Sequence, residues 1–192
     1  IEEQIDILDI WLKYDGGNKK ANAEKKAAFA FLGKDISDVD RERWESEPSN
    51  IQYGLDYVKT LQNSGDDGKV VEICNELLIY DKYNKRILKN LAEAYQNLYK
   101  EEDALDAYQT LAKVDPTNYN VAIDISKILI NQENYPGALE WADKAISLSS
   151  SKGKAYFQRA EVYFAVAESC IGDPIQFWDK IVHEIAWNDY HI

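Results

Sequence analysis

The stretch that decides the fold reads KRILKNLAEAYQNLYKEEDALDAYQTLAKVDPTN and occupies residues 85–118. It is 34 residues long and aligns without gaps with the equally long stretches on either side, 51–84 and 119–152. Equivalent places hold similar residues. The twenty-seventh place is Leu77, Leu111 and Ala145 in turn, and the thirtieth is Tyr80, Val114 and Leu148. A fixed period of this length indicates a repeat protein.

Each period predicts two antiparallel helices. In the central period, the first helix spans about residues 86–98 and the second about 103–114. One face of the first helix is marked by apolar residues at helical spacing: Leu88, Leu91, Ala92 and Tyr95. The second helix ends before Asp115-Pro116, because proline cannot continue a helix. In the first period, we expect the turn between the two helices at the loop-like residues 63–68.

This pattern resembles the tetratricopeptide repeat family. The residues that carry the resemblance are Leu91, Ala92, Tyr95, Ala104, Tyr108, Asp115 and Pro116 in the second period, and Ile125, Ser126, Leu129, Ala138 and Ala145 in the third. The family's tryptophan near the start of the first helix is Gly54 in the first period. The resemblance implies an all-α fold, an α-solenoid of stacked antiparallel helix pairs that form a right-handed superhelix.

The predicted organisation has two parts. Residues 1–50 hold N-terminal helices near 1–15, 21–32 and 35–47, which we interpret as one or two divergent repeats. The array then comprises 51–84, 85–118, 119–152 and an extended fourth unit, 153–192. The fourth unit has about 14 extra residues around Cys170–Pro174 before a predicted helix at 177–190; they either contact a partner or shield the end of the array. We expect the C terminus to be truncated within that helix.

Composition excludes several classes of protein. The chain of 192 residues has 22 Lys and Arg against 34 Asp and Glu, a net charge of −12 that repels nucleic acid phosphates. Its 45% hydrophobic residues can form a core, which excludes wholesale disorder. A run of about 18 apolar residues is missing, so we expect no membrane insertion.

The sequence leaves the compartment open. The chain begins at Ile1, so we expect the natural N terminus to be missing. The chain also contains no Met, either by chance or because modified methionines were omitted from the sequence. A soluble protein is expected, either cytoplasmic or, if a signal peptide was removed, periplasmic or secreted. Cys74 and Cys170 lie far apart without a CxxC pairing, which favours buried packing cysteines over a disulfide.

Catalytic and metal-binding patterns are missing from the sequence. The two histidines, His183 and His191, are two helical turns apart, which is too far for shared metal ligation. Asp66-Asp67 lacks the spacing of a calcium loop. Walker A, GxSxG, HExxH and GxGxxG motifs do not occur. We therefore predict a protein that is not an enzyme and that needs no cofactor and no metal.

The resemblance also indicates a binding surface, because in this family the first helix of each pair lines a concave groove. The predicted groove residues are Lys59, Arg86, Lys89, Gln96, Asn97, Ile123, Lys127, Ile130, Asn131, Lys154, Phe157 and Phe164. The twenty groove places together carry five basic and two acidic residues, in contrast to the acidic whole. This predicts attraction of an acidic extended segment, with the amides binding peptide backbone and the apolar residues holding side chains.

We predict a protein–protein interaction scaffold that binds an extended peptide or helix of a partner in this groove. The alternative is a structural subunit of a larger assembly, or a self-associating module, that uses the convex face or the array ends; the oligomeric state is open. Some family members clamp the C-terminal carboxylate of heat-shock chaperones with two Lys, one Arg and two Asn. That clamp is rejected here, because Glu93, Asp124 and Gln158 occupy three of its places.

Overall fold

The protein is all-α, as predicted. The structure, a computed structural model, describes residues 1–33, 37–148 and 153–170, which form ten helices and no strand. The helices are α1 (Glu2–Tyr14), α2 (Lys19–Phe31), α3 (Ser37–Ser46), α4 (Ile51–Ser64), α5 (Asp67–Tyr80), α6 (Lys85–Asn97), α7 (Glu101–Val114), α8 (Tyr119–Asn131), α9 (Tyr135–Leu148) and α10 (Gly153–Cys170).

The helix boundaries follow the sequence patterns closely, with one clear difference. The turn expected at residues 63–68 lies within that range but is shorter, because α4 runs to Ser64 and α5 begins at Asp67. Gly65 closes α4 in the left-handed conformation, and the Asp66 side chain accepts a hydrogen bond from the Lys69 amide to cap α5. The predicted helix at 177–190, the segment after Cys170 and both histidines lie outside the described residues.

Contacts divide the chain into two compact units, Ile1–Leu98 and Tyr99–Ile192, which we call the N-terminal and C-terminal units. In the N-terminal unit each helix from α1 to α5 packs against the next one along the chain. In the C-terminal unit α8 packs on α7 and α9, and α10 packs on α8 and α9. Packing between sequence neighbours is typical of helical repeats. The predicted division at residue 50 falls between α3 and α4, which pack against each other.

One turn recurs before four of the helices. Asparagine caps the helices α2, α4, α6 and α8, and its side-chain oxygen accepts a hydrogen bond from a backbone amide in the first turn. The same side chain donates to an acid three residues earlier. The donor–acceptor pairs are Asn18–Asp15 at 3.1 Å, Asn50–Glu47 at 3.3 Å, Asn84–Asp81 at 2.9 Å and Asn118–Asp115 at 3.1 Å. The first of these turns precedes α2, so residues 1–50 share this turn with the periods that follow.

The turn inside each helix pair also recurs, but its chemistry differs between the units. Gly65, Tyr99 and Glu133 occupy the same place in successive periods, and all three have positive φ, at 75°, 57° and 57°. Glycine adopts this conformation without a steric cost, whereas a residue with a Cβ is strained there. The C-terminal unit therefore makes this turn at Tyr99 and Glu133 with strained residues.

The core of the N-terminal unit is set by a close approach of α4 and α5. A methyl group at Gly54 would overlap the side chain of Leu77, which is fully buried. This contact explains why the aromatic residue of the family pattern is replaced by glycine. The equivalent places in the C-terminal unit are Ala122 and Ala145, which lie in one buried cluster with Ala155. The α4–α5 and α8–α9 pairs thus place side chains of different size at the same position of the repeat.

Candidate functional site

All of the predicted binding residues except Ile123 are exposed or half-buried on the first helices. In α6, the buried side chains are Ile87, Leu88, Leu91, Ala92 and Ala94. The opposite side of the same helix carries Arg86, Lys89 and Asn97, all exposed, together with half-buried Gln96. The helix is amphipathic because its sequence separates these two sets at a 3.6-residue period. A continuous polar face is therefore available on α6.

Two of the predicted lysines already have acidic neighbours on their own helices. Lys89 Nζ lies 3.3 Å from Glu93 Oε1, and Lys127 Nζ lies 3.5 Å from Asp124 Oδ1. Exposed pairs of this kind contribute less than about 1 kcal/mol, so they do not rigidify the helices. They nevertheless reduce the positive charge that the sequence predicted for this face. Asp124 was outside the set of groove places, which is why counting those places missed its effect.

The two predicted asparagines are engaged in a repeated contact. Asn97 Nδ2 donates to Asp67 Oδ1 at 3.0 Å, and Asn131 Nδ2 donates to Glu101 Oε1 at 2.9 Å. Each bond joins the end of a first helix to the start of the preceding second helix. The residues in the two bonds are related by one 34-residue period. These amides therefore help to position successive helices, a role that their sequence places did not suggest.

The four apolar residues of the predicted set differ in how exposed their side chains are. The predicted groove position of Ile123 is corrected, because its side chain is only 7% exposed and packs in the cluster of Ala122, Ala145 and Ala155. A side chain in the core cannot anchor a ligand. Ile130 and Phe164 are half-buried, whereas Phe157 is 49% exposed. These three remain candidates for apolar contact.

The remaining predicted residues are exposed and lie near the starts of their helices. Arg86 Nη1 donates to Gln52 Oε1 at 3.2 Å, and these two residues are equivalent places in neighbouring periods. The bond brings the beginnings of α4 and α6 together in the N-terminal unit. Lys154 is exposed near the start of α10.

The last predicted residue, Lys59, lies in a cleft that the sequence did not reveal. This α2–α4 cleft has a volume of about 370 Å³ and is walled by α2, α3 and α4. Its charged lining comprises Lys19, Lys26, Asp40, Arg43, Asp56 and Lys59. The repeated sequence pattern predicts no binding places before residue 51, so it did not reveal this cleft. The asparagine cap at Asn18, which marks α2 as a first helix, was the signal that could have located it.

The floor of the α2–α4 cleft is a buried carboxylate. Asp40 is 1% exposed, and it accepts hydrogen bonds from Lys26 Nζ and Thr60 Oγ1. A buried charge is tolerated only when it is paired and hydrogen-bonded, and both conditions are met here. Arg43 stands beside it, with Nη1 3.1 Å from Asp56 Oδ2 and the guanidinium 3.8 Å from the centre of the Tyr53 ring. Three helices are tied together by these contacts.

Lys25, on the neighbouring side of α2, is a buried lysine with two carboxylate partners. Its Nζ lies 2.7 Å from Asp9 and 2.7 Å from Glu42. Burial opposes its charge, but the two hydrogen bonds outweigh burial and raise the pKa of Lys25. In contrast, Lys19 and Lys59 make no ion pair or hydrogen bond with any residue that the structure describes.

A buried polar contact joins three helices of the C-terminal unit. Ser126 Oγ donates to the Ala138 carbonyl at 2.8 Å, and Gln158 Nε2 donates to Ser126 Oγ at 3.2 Å. Both side chains are buried, at 0% and 2% exposure. The contact fixes α10 against α8 and α9, so we assign it a structural role rather than a binding role.

Other chemistry is limited in the described part of the chain. Cys74 is a buried free thiol, and burial raises its pKa to about 12, so it is an inert packing residue as predicted. The Cys170 side chain lies outside the described residues. Among residues 1–33, 37–148 and 153–170, no cluster of His, Cys, Asp or Glu has the geometry for a metal ion. None of the described helices is both long and apolar enough to span a membrane.

Comparison with known proteins identifies the fold. Protein-family models do not match the chain, and no curated protein sequence matches it either. A crystal structure of MamA is similar, with a TM-score of 0.69 and 15% identity over 86% of this chain and 90% of that one. A second MamA structure, from Desulfovibrio magneticus RS-1, has a TM-score of 0.60 and 16% identity over 79% and 86% of the two chains.

A tetratricopeptide repeat protein from Parabacteroides merdae is also similar. Its TM-score is 0.60, with 19% identity over 90% of this chain and 72% of that one. At such identities, the likeness shows the fold alone. The chain has the helical-repeat fold of tetratricopeptide repeat proteins, which confirms the resemblance drawn from the repeated residues.

Proposed function

We propose that this protein is a non-enzymatic scaffold that binds an extended peptide or a helix of a partner protein on the faces of its first helices. The observation that carries this proposal is the separation of roles along those helices. One side of each helix is buried in its unit, and the other presents polar and basic side chains at equivalent places. Such a surface is exposed yet regular, so it suits a partner that extends along several repeats.

The two units would contribute different chemistry to binding. Lys59, Arg86 and Lys89 give the N-terminal unit a basic surface, in which Lys89 shares its charge with Glu93. In the C-terminal unit, exposed Phe157 and half-buried Ile130 and Phe164 offer apolar contacts beside Lys127 and Lys154. Asn97 and Asn131 already donate to neighbouring acids. Peptide hydrogen bonds at these two sites would therefore use the side-chain oxygen or the second amide hydrogen.

A specific observation also supports the assembly alternative. Ile7, Ile10, Trp11 and Tyr14 lie at helical spacing on α1, and their exposed fractions are 64%, 61%, 48% and 85%. An apolar helical stripe of this kind commonly marks a contact with another protein surface. As a second candidate function, it would make the protein a subunit held by its N-terminal helix.

The test is affinity capture from the lysate of the native organism with two variants of equal charge. Lys59→Glu/Lys89→Glu/Lys127→Glu reverses three charges on first helices. The matched control, Lys82→Glu/Lys100→Glu/Lys113→Glu, reverses three exposed charges outside them. Circular dichroism verifies that both variants keep the helicity of the wild type.

We expect the first variant to lose a protein that the wild type and the control retain. Equal retention by all three chains would contradict the proposal. A concentration-independent oligomer in light scattering that Trp11→Glu dissociates would favour the assembly alternative instead.

A further inference from the structure

We propose that the α2–α4 cleft is a carboxylate-binding site that takes an aspartate or glutamate side chain of a partner segment. The inference rests on the proposed function, and it gives that partner a chemistry and an anchoring point. It also extends the binding surface to α2, which lies before the repeats that the sequence defines. The argument depends on charge, on unpaired polar atoms and on the size of the cleft.

The cleft carries more positive than negative charge in an otherwise acidic chain. Four cationic side chains, Lys19, Lys26, Arg43 and Lys59, line it together with two carboxylates. Both carboxylates are occupied internally, Asp40 by Lys26 and Asp56 by Arg43. This leaves the ammonium groups of Lys19 and Lys59 without an ionic partner among the described residues. An incoming carboxylate would meet two uncompensated charges at a site whose floor is already fixed.

Two buried polar atoms of residues that line the cleft also lack hydrogen-bond partners within the described part of the chain. Both hydrogens of the Asn22 amide are used, one by the Gly16 carbonyl at 3.1 Å and one by the Asn18 carbonyl at 3.0 Å. The orientation of Asn22 is therefore fixed, yet its Oδ1 is buried without a donor, and Arg43 Nε is buried without an acceptor. Asn22 is 6% exposed. Unpaired buried groups of this kind are rare in folded proteins.

These two atoms favour a peptide over other anions. A small local adjustment that opened them to a ligand would offer one acceptor and one donor beside the two lysines. An acidic residue in an extended peptide supplies both complements, because its backbone N–H can donate to Asn22 and its carboxylate can accept from Arg43. A phosphate ester carries acceptors but no such N–H. The volume of about 370 Å³ is sufficient for one side chain and its backbone.

The experiment is a titration of the ¹⁵N-labelled full chain with two synthetic peptides at low salt. The probe is acetyl-(Glu-Gly)₄-amide, and the comparison is acetyl-(Gln-Gly)₄-amide. We expect the Glu peptide to shift amide signals of α2, α3 and α4, and the Gln peptide to leave them unchanged. Loss of two charge-assisted hydrogen bonds in Lys19→Ala/Lys59→Ala should weaken binding about tenfold or more.

Matched variants separate the cleft from general charge. Lys20→Ala/Lys69→Ala removes two exposed lysines from the same unit, and its affinity should change less than about twofold. Lys59→Arg keeps the charge and should retain binding within about threefold. Equal affinity for the two peptides, or equal losses in the two double variants, would overturn the inference. So would binding of inorganic phosphate in the cleft in place of the Glu peptide.

The outcomes also distinguish this inference from the proposed function. Shifts confined to α8 and α10 would overturn the carboxylate site in the cleft and leave a first-helix interaction surface standing. Peptide binding in the cleft, combined with lysate capture that is unaffected by Lys89→Glu/Lys127→Glu, would support the site and contradict the scaffold surface.

Discussion

The second helices α5 and α9 occupy the same place in the repeat, but they fill their cores in opposite ways. The buried residues of α5 are Val70, Ile73, Cys74 and Leu77, whereas those of α9 are Ala138, Ala142 and Ala145. The facing first helices compensate. Gly54 on α4 lies against Leu77, and Ala122 on α8 shares a cluster with Ala145.

The difference teaches that the repeat conserves helix packing rather than residue size. A glycine opposite a leucine and an alanine opposite an alanine each allow two helices to approach closely. Close packing then makes each position dependent on its partner, because interiors tolerate neither voids nor excess volume. The same comparison extends to the Ser126 contact and to the left-handed turn residues, in which the units also differ.

The largest effect is expected when the α4–α5 pair is converted to the alanine pair of α8–α9. Leu77→Ala alone should lower the free energy of unfolding by about 2–5 kcal/mol, because it leaves a cavity. Gly54→Ala alone should lower it by about 1–3 kcal/mol through overlap with Leu77. In the Leu77→Ala background the second change should instead raise it by about 1 kcal/mol, since alanine favours helix and fills space.

Urea unfolding of the four chains in this double-mutant cycle measures the coupling. If the two changes were simply additive, the pair would not be packed as the structure indicates. The reciprocal variant Ala122→Gly/Ala145→Leu provides a control in the C-terminal unit.

A smaller effect is expected at the buried polar contact of the C-terminal unit. Ser126→Ala should lower the free energy of unfolding by about 1–3 kcal/mol, because it leaves the Gln158 amide buried without that partner. In the N-terminal unit the equivalent place is Val58, which is fully buried and apolar. Adding Gln158→Leu to Ser126→Ala should therefore recover part of the loss. Chemical denaturation would contradict this account if the double variant were less stable than Ser126→Ala.

The smallest effect concerns the strained turns. Tyr99→Gly and Glu133→Gly should each raise the free energy of unfolding by about 0.5–1 kcal/mol. Left-handed backbone costs a residue with a Cβ about 1–2 kcal/mol, and glycine avoids this cost. The net gain is smaller because glycine has a larger conformational entropy in the unfolded state. Gly65→Ala should lower stability by a similar amount. Thermal or urea melts measure these shifts, and a loss of stability in both glycine variants would show that the strain is absent.

The helices could be predicted from the sequence because they depend on short-range apolar spacing. The period could be predicted because similar residues recur every 34 residues. The apolar spacing around Leu91 and the stop at Pro116 are written directly in the chain. The candidate site was only partly predictable. Burial of Ile123 depends on which face of α8 meets its neighbours. The Lys127–Asp124 pair is instead a local contact within α8, which the count of groove places left out. The cleft at Lys19 depends on tertiary contacts among three helices, and a periodic pattern does not specify it.

The most direct test of the central claim is photo-crosslinking of a captured partner from defined positions. p-Benzoylphenylalanine would replace Lys89 or Lys127 on the first helices or, as matched controls, Glu76 on α5 and Lys113 on α7, all of which are exposed. If the first-helix faces bind the partner, crosslinks form at Lys89 and Lys127 and not at the two controls. Crosslinks at Glu76 and Lys113 without any at Lys89 and Lys127 would contradict the account and place the interface on the second helices.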